Sequence, residues 1–397
     1  MEKQIKIPAL RFPEFIGEWQ LKKFGSLTKR ISNAVNVNDE ELYYQIGIRS
    51  HGKGLFYKDA VTGKSLGDKR VFWVKENMFV VNIVFAWEQA VAKTTEKEIG
   101  MIASHRFPMY LPINTLSNLD YLVHFFLTKK GKFLLGLASP GGAGRNKTLG
   151  QKEFENLKFI IPSEAEQVKI ANFLTAVENK LDKLKQKKFL LEQYKRGVMR
   201  DIFSKEIRLN DEFGKEFPKW EFKKFGDTAN IILGQSPESD SYNSEGIGQY
   251  LIQGNADIIN RKTKPRNWTS KPTKECKIGD LILTVRAPVG SVAKSTYNAC
   301  IGRGVCAISN KSNSNIEYLY QFLLDYELKW VRLEQGSTFT AISGTDIRSI
   351  EIELPCLAEQ TKIASFLSAI DEKIFQCQLQ IEKTVLYKKG LLQKMFC

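Results

Sequence analysis

One long segment of the chain occurs twice, and this repeat limits the possible folds more than any other feature. Residues 163–203 read SEAEQVKIANFLTAVENKLDKLKQKKFLLEQYKRGVMRDIF, and residues 356–396 read CLAEQTKIASFLSAIDEKIFQCQLQIEKTVLYKKGLLQKMF. At a constant offset of 193, without a gap, 14 of the 41 positions are identical, among them Glu166/Glu359, Gln167/Gln360, Tyr194/Tyr387 and Gly197/Gly390. Shorter pieces return in the same order: WQLKKFG (19–25) as WEFKKFG (220–226), and LDYLVHFFL (119–127) as IEYLYQFLL (316–324). Between them the halves diverge, IGIRSHGKGLFYKDAVTG against IQGNADIINRKTKPRNW. A shared frame with different middles predicts two domains built alike that contact two different things.

The repeated segments have the pattern of long helices. Ile170, Leu174, Val177, Leu181, Leu184, Leu191 and Val198 recur in steps of four and three, the heptad spacing of a helix that buries one narrow stripe. The second copy carries Ile363, Leu367, Ile370, Ile374, Cys377, Ile381 and Leu391 at the same register, and Lys195 and Lys388 interrupt both stripes at one place. Ser163 with Glu166, just after Pro162, has the form of a capping box. At ~1.5 Å per residue each stripe is roughly 50 Å long. Two such stripes in one chain are expected to pair antiparallel, because only residues 204–219 link the first helix to the second domain. Pairing between two copies of the chain is the alternative use of the same stripes. The expected order is a first domain (1–162), a helix (163–203), a linker (204–219), a second domain (220–355) and a second helix (356–397).

The domains themselves read as mixed α/β. Short apolar, β-branched runs predict strands at 78–85, 157–162, 279–285, 304–309 and 350–355, while 119–135 and 316–333 predict helices. No run reaches the ~18 apolar residues of a membrane helix. The N-terminal stretch lacks the apolar core of a secretion signal, so a cytoplasmic protein without membrane attachment is expected.

Charge points to the partner. Lys and Arg total 59 against 44 Asp and Glu, a net charge of +15. Acid-free stretches with six basic residues each run from Tyr121 to Lys152 and from Ile258 to Lys274. Basic stretches in both halves favour nucleic acid.

Signs of catalysis are scarce. The chain has no PP dipeptide, which an amino-methyltransferase motif of the form (D/N/S)PP(Y/F/W) would need. GGAGRNKT (141–148) approaches a phosphate-binding loop, but Asn146 stands where its second glycine belongs. Asp257, Glu275 and Lys277 are too loosely spaced to define a nuclease, and the three histidines and six cysteines match no triad, zinc or disulfide pattern. A non-catalytic binding protein is the expectation, with no metal and no cofactor of its own.

Phosphates call for Lys, Arg and backbone amides; base edges call for Arg, Asn, Gln, Ser and Thr. In the first half the candidates are Arg49, His51, Lys53, Gln89, Arg106, Arg145, Asn146 and Lys147. In the second half they are Gln235, Ser236, Gln253, Asn255, Arg261, Lys262, Lys264, Arg266, Thr284, Arg286, Ser337 and Thr338, with Arg286 the first choice for reading a base.

The twofold repeat, the P…AEQ.KIA.FL lead-in to each helix, and GDLILTVRAPVGSVA and GSTFTAIS in the second half resemble the specificity (S) subunit of type I restriction–modification enzymes, over nearly the whole chain. The first half departs from the last two patterns, with VFAWEQAVA and GGAGRN in their places. The resemblance implies two target recognition domains, each reading one half of a split, asymmetric sequence in double-stranded DNA. The helix pair would fix the unread spacer. Two modification subunits, which are S-adenosylmethionine-dependent adenine methyltransferases, would dock on the helices and their lead-in segments. Restriction subunits would join them, and S-adenosylmethionine, ATP and Mg²⁺ would belong to those partners. The alternatives are an RNA-binding or structural coiled-coil adaptor, or a stand-alone methyltransferase or nuclease.

Overall fold

The computed structural model describes residues 7–141, 147–336 and 341–396. Two compact units emerge, one from residues 1–185 with 379–397 and one from residues 186–378. The first long helix runs Glu164–Phe203 and the second Leu357–Lys394. The compact units therefore take up parts of both helices, where the sequence-based division kept helices and domains apart. The cause is the apolar stripe. Ile170, Leu174 and Val177 lie in one core with Phe125, Phe126 and Phe159, and Ile363, Leu367 and Ile370 lie in another with Tyr318 and Leu323.

In the first unit an antiparallel sheet has the strand order Thr28–Ile31, Met109–Pro112, Phe79–Val81, Val91–Lys93. A second sheet holds Leu55–Thr62, Leu42–Ile48, Ile102–Ser104 and Val71–Trp73, with its middle pair parallel. Gln20–Lys23 pairs with Lys158–Ile161 beside the first long helix.

The second unit repeats this plan in its own residues. Ala229–Leu233, Val305–Asn310, Leu281–Thr284 and Val292–Lys294 follow one another in the same order, and Gln249–Ile252 lies parallel to Ala299–Ile301. Glu221–Lys224 pairs with Glu351–Leu354.

Two elements differ from expectation, each for a local reason. The run 78–85 forms a strand only over Phe79–Val81. Asn82 ends it by accepting the Val84 amide on its side chain, an Asx turn that competes with the ladder. The stretch 119–135 is two helices, Leu119–Phe126 and Lys129–Leu137. Thr128 caps the second by accepting the Gly131 amide. A Cβ on Gly131 would lie 2.3 Å from the Phe125 carbonyl oxygen, so only glycine allows this tight break.

The long helices meet within each unit. In the second, Lys195 donates to both carboxylate oxygens of Asp371 at 2.7 and 2.8 Å, and Arg208 reaches back to Glu359, so the chain directions oppose. In the first, Lys388 pairs with Glu178 at 2.6 Å. The lysines that interrupt the stripes are thus paired at equivalent places, because Glu178 and Asp371 also obey the offset of 193. A third group completes each node. Gln321 donates to Asp371 at 2.8 Å, and His124, its counterpart in the first unit, lies with Nδ1 3.7 Å from Glu178.

Candidate nucleic-acid interface

The AEQ lead-in segments prove to be internal clamps. Glu166 and Gln167 are buried, as are Glu359 and Gln360. Gln167 Oε1 accepts from the Asn118 amide, and its Nε2 donates to the Leu116 and Pro162 carbonyls at 3.0 Å. Gln360 does the same with Asn315, Asn313 and Pro355. Glu166 takes a two-pronged bond from Arg11 and one from Trp19; Glu359 takes two from Arg208. Glu166 is therefore diverted from the expected capping box, though its amide still meets Ser163 Oγ at 3.4 Å. The Glu and Gln side chains of both segments are thus spent inside their own units, while Ser163, Lys169, Leu357, Lys362 and Phe366 of the same segments are exposed.

The divergent residues gather elsewhere. In the second unit the loops after strands Ala229–Leu233, Gln249–Ile252 and Ala299–Ile301 converge with the turn after Leu281–Thr284. A Cβ on Gly304 would sit 2.1 Å from the Gln253 carbonyl oxygen, so glycine lets two of these loops touch. The result is a concavity of about 230 Å³ lined by Ser236, Gln253, Asn255, Arg286 and Arg303. A neighbouring one of about 240 Å³ shares both arginines and adds Leu233 and Ile342. Arg286 is exposed, and its backbone is held by a β-bridge to Ala341. Arg303 donates Nε to Ser236 Oγ at 3.1 Å. Sequence reasoning missed Arg303. The signal was present: an arginine between Gly302 and Gly304, at a tight turn between two apolar runs.

In the first unit the equivalent turn is 82–90. Loop 49–54 is tied to it by His51 and Gly52 amides donating to the Glu88 and Gln89 carbonyls. The Ile83 amide donates to Arg106, and the Leu149 amide donates to Ile83. Arg49, His51, Lys53 and Arg106 are exposed on these joined loops. The Lys147 ammonium lies 5.9 Å from the Trp87 ring centre.

Several expected contacts are corrected. Thr284 is fully buried, donates to the Pro288 carbonyl and accepts the Ser291 amide, so it shapes the turn and offers nothing to a base. Gln89 donates to the Phe126 and Thr128 carbonyls and holds the helix break. Arg261 grips Glu327 with two nitrogens, and Arg266 pairs with buried Asp257. Lys262 lies over the Phe375 ring and remains exposed, as do Lys264 and Asn255. Ser236 supports Arg303, and Gln235 is exposed beside it. Arg145, Asn146, Ser337 and Thr338 lie outside the described residues. The stripe residues Ile170, Leu174, Val177, Leu181, Ile363, Leu367, Ile370 and Leu391 are buried, and Leu184, Leu191, Val198, Ile374 and Ile381 are half-buried. Ile170, Leu174, Val177 and Leu391 belong to the first core, and Ile363, Leu367 and Ile370 to the second, with Val198 and Ile374 packed against it.

Among the described residues no group of His, Cys, Asp and Glu could hold a metal ion, and no helix is long and apolar enough to cross a membrane.

The profile of the type I restriction modification DNA specificity domain matches residues 43–193 and again 218–385. The chain belongs to that family. A relative from Methanocaldococcus jannaschii, named "Putative type I restriction enzyme MjaX specificity subunit", is 36% identical over 240 residues. The aligned part is 58% of this chain and spans only 56% of that relative. The S subunit of a type I restriction-modification system from M. genitalium superposes with a TM-score of 0.63 at 14% identity, covering 98% of this chain and 99% of its own. A chain from a structure concerned with complex assembly and conformational transition of the type I R-M system gives 0.59 at 22%, covering 95% and 97%. At these identities the two structures establish the specificity-subunit fold. The two profile matches also account for the repeat, since each covers one half of the chain.

Proposed function

We propose that this chain gives a type I restriction–modification complex its DNA sequence specificity, with each unit reading one half of a bipartite duplex target. One observation carries the reading: in a member of this family, a single scaffold recurs with the same strand order, while the turns 82–90 and 284–291 differ in nearly every side chain. Constant frame and variable tip is the arrangement expected when two half-sites differ. Arg49, Lys53 and Arg106 in the first unit, and Lys264, Arg286 and Arg303 in the second, supply exposed cationic groups near those turns for phosphates and base edges.

The helix pair would hold the two readers at a fixed spacing, as half-site separation follows protein geometry. Modification subunits would dock on the outward helix faces, where Phe189, Leu190 and Tyr194 in the second unit, and Leu386 and Tyr387 in the first, are exposed. The methyl transfer and the cleavage, with S-adenosylmethionine, ATP and Mg²⁺, would be the partners' work, in the cytoplasm where the DNA is.

The test begins by sequencing methylated sites in cells that carry this chain and its modification partner. The assembled complex is then bound to a duplex bearing the deduced site, to a scrambled duplex and to RNA. Binding at least 1,000-fold tighter to the site than to the scrambled duplex is expected. Equal binding to all three would leave an unspecific adaptor.

A further inference from the structure

We infer that Arg303, held by Ser236, reads a guanine in the half-site of the second unit. This rests on the functional reading above and names a specificity-determining residue within it. The Ser236 hydroxyl oxygen accepts from both the Arg303 amide (3.3 Å) and its Nε (3.1 Å), so one small side chain fixes the backbone and the guanidinium together. Among the described residues the two Nη atoms have no acceptor, which leaves the outer edge of the fork presented as two parallel donors. The concavity they border also holds Arg286, Gln253 and Asn255, so the fork stands at the rim of a polar hollow and not on open surface.

A phosphate does not require this arrangement. Lys264, exposed on a nearby loop, meets a phosphate as a flexible point charge. A pre-oriented fork matches a pair of adjacent acceptors, and in the major groove guanine alone presents that pair, O6 and N7. Arg261 shows the contrast: it spends both Nη atoms on Glu327 within the unit, whereas Arg303 spends only Nε. The serine acts as a positioning residue, and removing it should loosen the reading without removing the charge.

The experiment maps methylated sites for the complete complex carrying wild-type chain, Arg303→Ala, Arg303→Lys and Ser236→Ala. The wild-type half-site of the second unit should contain one fixed G·C pair. Arg303→Ala should lower discrimination at that position by about 5- to 150-fold. Arg303→Lys keeps the charge but not the fork, so it should relax the same position while leaving the salt dependence of binding intact. Ser236→Ala should relax it less. The assignment is overturned if Arg303→Ala weakens binding to all sequences alike with the half-site unchanged, or if no guanine is fixed there. Exchanging residues 227–349 for those of a relative separates the two claims. An unchanged half-site after that exchange sinks the functional reading itself, while a changed half-site with an unaltered Arg303→Ala specificity sinks only the guanine contact.

Discussion

Gln360→Ala should unfold its surroundings without touching any surface. The side chain is fully buried and makes three hydrogen bonds: it accepts from the Asn315 amide at 2.8 Å and donates to the Asn313 and Pro355 carbonyls at 3.1 and 2.8 Å. Each bond is worth about 1 kcal/mol net, and stranding the Asn315 amide and two carbonyls in a dry interior adds to that loss. A destabilisation of about 3–5 kcal/mol follows, enough to lower the melting temperature by roughly 6–20 °C for a domain of this size. Urea unfolding measures the magnitude, and amide hydrogen exchange should show lost protection at 313–324. Gln360→Glu sharpens the test. At neutral pH it sets a carboxylate against two carbonyl oxygens, so its folded pKa must rise above the unfolded value of about 4.3. Stability would then be recovered on acidification and lost as pH rises through the folded pKa. A Gln360→Ala variant within about 1 kcal/mol of wild type would refute the clamp.

Three other outcomes are expected. Lys195→Ala should cost about 1–3 kcal/mol in urea unfolding, since Asp371 loses a charged partner but is exposed enough to rehydrate; Lys195→Ala in an Asp371→Ala background should cost far less. Burial holds the pKa of His124 below its ordinary value, with Glu178 and Asp120 opposing that shift and Lys388 and Lys93 adding to it. The unfolded chain therefore takes up the proton first, and stability falls as pH drops from about 6.5 through the folded pKa. His124→Gln, which installs the amide found at the equivalent Gln321, should flatten this acid limb in a pH series of thermal melts. Inserting four residues into both long helices, about 6 Å of helix, should lengthen the unread spacer in the mapped methylation sites; an unchanged spacer would dismiss the helices as its determinant.

The frame was legible because repetition is a property of the sequence itself. An offset of 193 needs no knowledge of packing to show two long helices with matching stripes. Even the ion pairs were visible in principle, since Glu178 and Asp371 obey the offset as Lys195 and Lys388 do. The lysines read as defects only because the stripe was judged by apolarity alone. The interface was less legible. Thr284 looked like a polar residue at a strand end, and whether it faces solvent depends on the Pro288 carbonyl folding back over it. Arg261 and Arg303 look alike in sequence; one is consumed by Glu327, 66 residues away, and the other is braced by Ser236, 67 residues away. Such partners follow from strand order across the sheets, which local periodicity does not encode.

The most direct test of the central claim is to exchange residues 26–150 for those of a relative with a different target and to sequence the methylated sites made by the resulting complex. Two independent readers predict that one half of the recognised sequence changes while the other half and the spacer stay as they were. A change in both halves, or in neither, would contradict the account.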